Sequence, residues 1–391
     1  MKSFFRDLPI AWLSLSHGRS KLLAAVIGVV FADLLMWMQL GFLTAAIEGA
    51  TYIHNLLLGE LILVNPQSEV LMQAKPFPRA YLTRALSHPD VKGTATLRLG
   101  SVTWKNPDGL GASSGEKRNL SLYRIEPFAP AIGAPGVEEN AAKLTFVDTV
   151  LFDRESRPEF APVVAKYQSG ERVEAEVNGR RVQVVGTTAI GASFQVDGNL
   201  ITSDLNFQRF TNRPPGAVDA GIIKLRTGAD SSQVKVELQK ILGEDILVMT
   251  KSEYIMKDRD YLTHHSPVNF IFGLGTAVAF LVGFAIVYQV LFTDVSNHLP
   301  QFATLKAIGY SDGYLQQVVL QEALILSILG FLPGTLISSG LYTMARSATR
   351  LPMTMTLERG FLIFGLTVMM CSLSGMLAMR KLRQADPAEV F

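Results

Sequence analysis

Charge is scarce in this chain. Of its 391 residues, 18% are Asp, Glu, Lys or Arg and 48% are hydrophobic, whereas soluble domains carry about 25% charged residues. The net charge is only +2. There is no basic stripe and no interleaving of basic with aromatic residues, so nothing suits a nucleic-acid backbone. Cysteine is nearly absent. The single Cys371 lies in an apolar run, which excludes an intramolecular disulfide and a cysteine metal site. Catalytic signatures are missing too. The chain has no G-x-x-x-x-G-K-[ST] phosphate loop, no H-E-x-x-H and no G-x-S-x-G, so it does not hydrolyse ATP by the phosphate-loop route. Of the histidines, only His264 and His265 are close, and successive side chains point apart. The N-terminal apolar run is too long for a cleavable signal and is followed by no small-residue cleavage site.

What is present is concentrated in four apolar runs, each long enough for the roughly 20 residues that cross a bilayer. They cover about 22–47, 268–292, 315–341 and 360–379. Lys2, Arg6, Arg19 and Lys21 precede the first, and Arg380, Lys381 and Arg383 follow the fourth. An excess of Lys and Arg marks the cytoplasmic side, so both termini are expected there, in agreement with an even number of spans. The loop between spans three and four, carrying Arg346, Arg350 and Arg359, runs against this assignment. Residues 1–21 place Phe4, Leu8, Ala11, Trp12 and Leu15 on one helical face, as expected for a cytoplasmic amphipathic helix lying along the membrane surface.

The polar stretch 48–266 is long enough for a folded domain and lies on the far side of span one, outside the cytoplasm. Asn178-Gly179 between two alternating runs reads as a hairpin turn. Gly221 to Leu225 reads as a strand, and Asp230 followed by Val234, Leu238 and Leu242 as a capped amphipathic helix. The expected fold is therefore four transmembrane helices with a large α+β domain inserted between helices 1 and 2.

Polar and small residues inside the spans are the next candidates. Asp33 is the most unusual, because a carboxylate at mid-bilayer costs about 3 kcal/mol on insertion scales. It reads either as a proton or substrate site or as a carboxyl near the cytoplasmic third that is paired with a neighbour or protonated. Gln39 and Glu322 are weaker cases. Gly275, Ala279 and Gly283 form a small-residue stripe in span two, and Gly330 and Gly334 repeat the spacing in span three. Such stripes let helix backbones approach. Pro333 between the latter two also allows a bend.

The loop after span two carries Pro300 and Gly309, which suit the start and end of a short helix. Phe302, Leu305 and Ile308 line one side of it. A helix with an apolar face held beside the membrane needs something to dock on.

At this loop the sequence resembles a known family. Phe302-Ala-Thr-Leu-Lys-Ala-Ile-Gly309-Tyr, then Gln316 to Pro333-Gly334, is similar to the FtsX-like permease domain of ABC transporters of the MacB kind. Arg380-Lys-Leu-Arg-Gln-Ala-Asp386-Pro-Ala-Glu389-Val resembles that family's terminal segment. Met38-Gln-Leu-Gly-Phe42 and Asp148-Thr-Val-Leu-Phe-Asp-Arg-Glu-Ser-Arg157-Pro resemble the DevC branch, known chiefly from cyanobacteria.

The resemblance implies a non-catalytic permease in the inner (plasma) membrane, with residues 267–379 as the FtsX-like domain and 380–391 as a cytoplasmic tail. It implies a homodimer working with two copies of a separate, DevA-like ABC ATPase, which would bind the ATP and Mg2+. Residues 300–309 would be the coupling helix, with Phe302, Leu305, Lys306, Ile308 and Gly309 against the ATPase and Lys381, Arg383, Asp386 and Glu389 as further contacts. The outer, periplasmic domain would engage a DevB-like membrane fusion protein leading to a TolC-like channel. ATP-driven motion would then expel a lipid, glycolipid or other amphiphile by mechanotransmission. Two rivals follow from the same residues. One is an FtsX-like signal transmitter controlling a cell-wall hydrolase, and the other is a membrane-embedded enzyme using Asp33 or Glu322.

Overall fold

The computed structural model describes residues 12, 19–107, 114–297, 308 and 311–383. In chain order the helices are α1 (Arg19–Asn55), α2 (Ala80–Ala85), α3 (Val137–Asn140), α4 (Ala161–Gln168), α5 (Asp204–Thr211), α6 (Ser231–Leu242), α7 (Lys251–His264), α8 (Pro267–Asn297), α9 (Asp312–Thr349) and α10 (Leu357–Arg383). The strands are β1 (Leu61–Val64), β2 (Phe77–Pro78), β3 (Val91–Lys105), β4 (Lys117–Arg124), β5 (Thr149–Asp153), β6 (Val173–Val177), β7 (Arg180–Thr188), β8 (Asn199–Thr202), β9 (Ala217–Val218), β10 (Ala220–Leu225) and β11 (Leu247–Thr250). The chain forms two units. One comprises residues 1–43, 270–344 and 353–391, the other 44–269 and 345–352.

The first unit is a helical bundle. Helices α1, α8, α9 and α10 are each long and apolar enough to cross a membrane, and the chain is a multi-pass membrane protein. Ala25, Val29, Ala32, Val287, Leu291, Ala323, Leu326 and Met370 form its core. Bulky apolar residues such as Phe270, Leu336 and Phe361 are exposed on the outside, the inverse of a soluble bundle and the pattern expected when the solvent is lipid. Pro333 sits inside α9.

The second unit is α+β and is built on a nine-stranded sheet of order β11-β1-β10-β3-β4-β8-β5-β7-β6. The long strand β3 pairs with β10 through its first half and with β4 through its second. At its end Trp104 and Lys105 also pair with β6. Pairings from β3 through β4, β8, β5, β7 and β6 therefore return to β3, closing a small barrel and removing two sheet edges. Trp104, Phe152, Phe160 and Leu122 fill it. In β1 every residue is buried, because alternate side chains enter different cores. Leu61 and Leu63 pack with Leu82 of α2 and Val234 and Leu238 of α6, whereas Ile62 and Val64 pack with Ile53, Leu57 and Tyr254.

The local expectations for this unit hold. Asn178 and Gly179, at φ +47° and +82°, turn β6 into β7 in the left-handed pair that a two-residue hairpin requires. The predicted strand is β10. Asp230 accepts the Ser232 amide at 2.8 Å and caps α6. Helix α7 opens with a capping box formed by Thr250 and Glu253.

Among the boundaries that differ from the sequence reading, two concern the outer unit. Helix α1 runs past Ile47 to Asn55, because Ile53 and His54 are buried in the outer unit. The connector 345–352 belongs to that outer unit rather than to the helical one, because Leu351 is buried and Arg350 pairs with Glu155 at 3.1 Å.

Candidate functional site

Inside the bundle, Asp33 is fully buried. Thr367 of α10 donates to its Oδ1 at 2.5 Å while also lying 2.8 Å from the Ile363 carbonyl. Its Oδ2 has no hydrogen-bond partner. Gly334 of α9 lies alongside, where an added Cβ would be 3.1 Å from the Asp33 Cβ. One carboxyl thus stands where α1, α9 and α10 meet.

A second polar tie lies farther along α1. Trp37 Nε1 donates to Thr335 at 3.2 Å, and the Tyr342 hydroxyl donates to the Trp37 carbonyl at 2.5 Å. Arg359, buried at the start of α10, donates to the Thr354 carbonyl at 2.7 Å and sits 3.5 Å from the Tyr342 hydroxyl. Arg350 and Arg359, which ran against the topology assignment, thus have protein partners.

The small-residue positions are close-approach points. A side chain at Gly275 would run into Gln39, at Gly283 into Ala32 and Met370, and at Gly330 into Val29. Ala279 and Glu322 are buried. Sequence reasoning missed Gly28, pressed against Ile286, and Gly41, pressed against Tyr342. Both lie on α1 and are legible only once their facing residues are known.

The segment 300–309, expected from the sequence to dock a partner, lies outside the described residues, apart from Ile308, which is exposed. Phe302, Leu305, Lys306 and Gly309 therefore have no described position, and neither do Asp386 and Glu389. Lys381 and Arg383 fall in the last turn of α10. Trp12 is exposed and helical; the rest of the N-terminal stretch before Arg19 lies outside the described residues. Among the described residues no group of three His, Cys, Asp or Glu could hold a metal ion.

The outer unit contributes two buried polar centres. His54 on α1 lies 3.0 Å from Asp258 on α7, and its ring meets that of Tyr254 edge-on with centroids 4.8 Å apart. Asp258 also accepts the Leu71 amide at 2.9 Å. Burial pushes the Tyr254 hydroxyl well above its ordinary value. The other centre is Asp153, at the end of β5. Its Oδ1 accepts the Glu155 and Ile190 amides, each at 3.0 Å, and its Oδ2 accepts Gly191 N at 2.8 Å and Asn199 Nδ2 at 2.7 Å. Burial pushes its carboxyl up, and these four donors pull it back. Asp153 thereby fixes the loop 189–199 that walls a cavity of about 240 Å³.

Residues 273–387 match the family of FtsX-like permease C-terminal domains. The FtsX-like segment takes in nearly all of α8, the whole of α9 and α10, and the loop with the expected docking helix. The C-terminal segment 273–387 is thus similar to FtsX-like permease domains, within a fold of four apolar helices with an α+β domain between the first and the second. Among the solved structures similar to parts of the chain are two outer domains. The periplasmic region of MacB from Actinobacillus actinomycetemcomitans shares 13% identity over 51% of this chain and 92% of its own, at a TM-score of 0.35. The extracellular domain of the noncanonic ABC-type transporter YknZ from Gram-positive bacteria shares 12% identity over 49% of this chain and 100% of its own, at 0.33. No curated protein matches the sequence.

Proposed function

We propose that this chain is the permease subunit of an ATP-driven exporter of the MacB/FtsX-like kind, in the inner membrane with both termini cytoplasmic. The observation that carries the reading is the FtsX-like match over 273–387, which contains the Pro300–Gly309 segment and its apolar side. In this reading a homodimer receives two copies of an ABC ATPase at residues 300–309, with Lys381 to Glu389 as secondary contacts. Nucleotide-driven closure alters the helix bundle. Helix α1, shared by both units, carries the change to the outer domain, which expels an amphiphile through a fusion protein and a TolC-like channel. The DevC-like motifs in α1 and around β5 favour a lipid or glycolipid cargo.

The decisive experiment is Phe302→Glu. It is expected to abolish stimulation of the partner ATPase while the chain remains inserted in the membrane, and stimulation that survives overturns the docking assignment. Isolation of the solubilised chain with its partners separates the exporter from its rival. An ATPase with a fusion protein supports export, whereas an ATPase with a cell-wall hydrolase supports signal transmission.

A further inference from the structure

The 240 Å³ cavity of the outer unit has a composition that selects a ligand. An open cavity of this size admits a headgroup or a small solute. Its wall carries an ion pair, Glu155 with Arg350 at 3.1 Å, both side chains 47% exposed. A pair this open contributes little to stability, so a ligand can part it at little cost. Parting it with a ligand of one charge leaves the other residue unpaired. A ligand bearing both charges pairs each of them again.

The remaining wall agrees with a cation on one side. Tyr52, Tyr123 and Glu155 all line the cavity, and aromatic rings attract ammonium groups, quaternary ones included. Ile53 and Met72 supply apolar contact for methyl or methylene groups. The site is also held in shape before any ligand arrives, because the four bonds to Asp153 set the loop that forms its side, and a preformed site loses less entropy on binding.

We propose that this cavity binds a headgroup-sized zwitterion, its ammonium against Tyr52, Tyr123 and Glu155 and its phosphate or carboxylate on Arg350. As a statement of cargo class this rests on the exporter reading; as a binding site it does not. Gly49 to Ile53 belong to α1, and Arg350 directly follows α9. A ligand touching both would be linked to the arrangement of those two helices, and the helices equally to it.

The test uses the full chain in a maltoside detergent, without ATPase, and phosphocholine as the probe in calorimetry. Saturable binding is expected, with choline alone and inorganic phosphate alone each at least about tenfold weaker. Arg350→Gln, Glu155→Gln and Tyr52→Ala are each expected to weaken phosphocholine about tenfold. The mutated side chains are half exposed, so the variants keep the fold, which circular dichroism verifies. Dihexanoyl phosphatidylcholine below its micellar concentration distinguishes the source. Tighter binding than phosphocholine assigns a lipid headgroup, and equal binding assigns a free solute. Absence of saturable binding, equal binding of choline or phosphate alone, or indifference to all three substitutions overturns the proposal. Loss of ATPase coupling in a separate experiment would remove the exporter reading and leave this result standing.

Discussion

Replacing Asp153 with Asn tests whether one buried carboxylate sets the shape of the cavity wall. The aspartate accepts four hydrogen bonds, two on each oxygen. Asparagine keeps one oxygen, so two bonds are lost and an NH2 group faces two donors. Hydrogen bonds to a charged group contribute roughly 1.5–3 kcal/mol each, so the loop loses about 3–6 kcal/mol. At tenfold per 1.4 kcal/mol, local opening becomes roughly 10²- to 10⁴-fold more frequent. The assay is amide hydrogen exchange in the full chain, followed on peptides covering 189–199. Ile190 and Gly191 are expected to exchange faster, with the β6–β7 hairpin as the unchanged control. Exchange at 189–199 within about threefold of the parent would refute the reasoning.

A Cβ at Gly136, which sits at φ +83°, would run into the Thr187 carbonyl oxygen. Gly136→Ala combines left-handed strain of about 1–2 kcal/mol with overpacking of about 1–3 kcal/mol, so thermal unfolding should show a clear loss of stability, while Gly170→Ala, with open space around it, loses only the strain. Asp33→Asn keeps a polar partner for Thr367 and removes an ionisable group from the bundle, so export activity in cells should survive it. Loss of activity in Asp33→Asn with normal membrane insertion would indicate that the carboxyl itself is used. Glu253 has its carboxyl held below the ordinary range by Lys235 at 2.7 Å and by the Thr250 amide. Its contribution is present above the unfolded value and lost as pH falls through the folded one. Glu253→Gln should flatten the acid limb of the outer unit's stability, read by circular dichroism below about pH 5.

The four spans, the inserted domain, the Asn178-Gly179 hairpin, β10 and the Asp230 cap were legible because each depends on residues near one another in sequence. Hydropathy over one helix length, a turn that demands left-handed backbone, and a side chain two residues from the amide it caps are local quantities. The FtsX-like motifs were legible for the same reason, since the loop and tail that carry them are contiguous.

Pairings between distant residues were not legible. Nothing near Asp33 points to Thr367, and nothing near His54 points to Asp258. The tripartite bonding of Trp37, Thr335 and Tyr342 is equally invisible in the order of residues, as are the close approaches at Gly28 and Gly41. The barrel closes because the end of β3 meets β6, and the cavity exists because the end of α1, the loop held by Asp153 and the connector after α9 converge. Composition and local pattern by themselves determined that this chain enters a membrane, how often it crosses, and which short segments turn, cap or extend. Only the tertiary structure decided which buried polar groups face one another, because burial and partnership depend on atoms brought together from far along the chain.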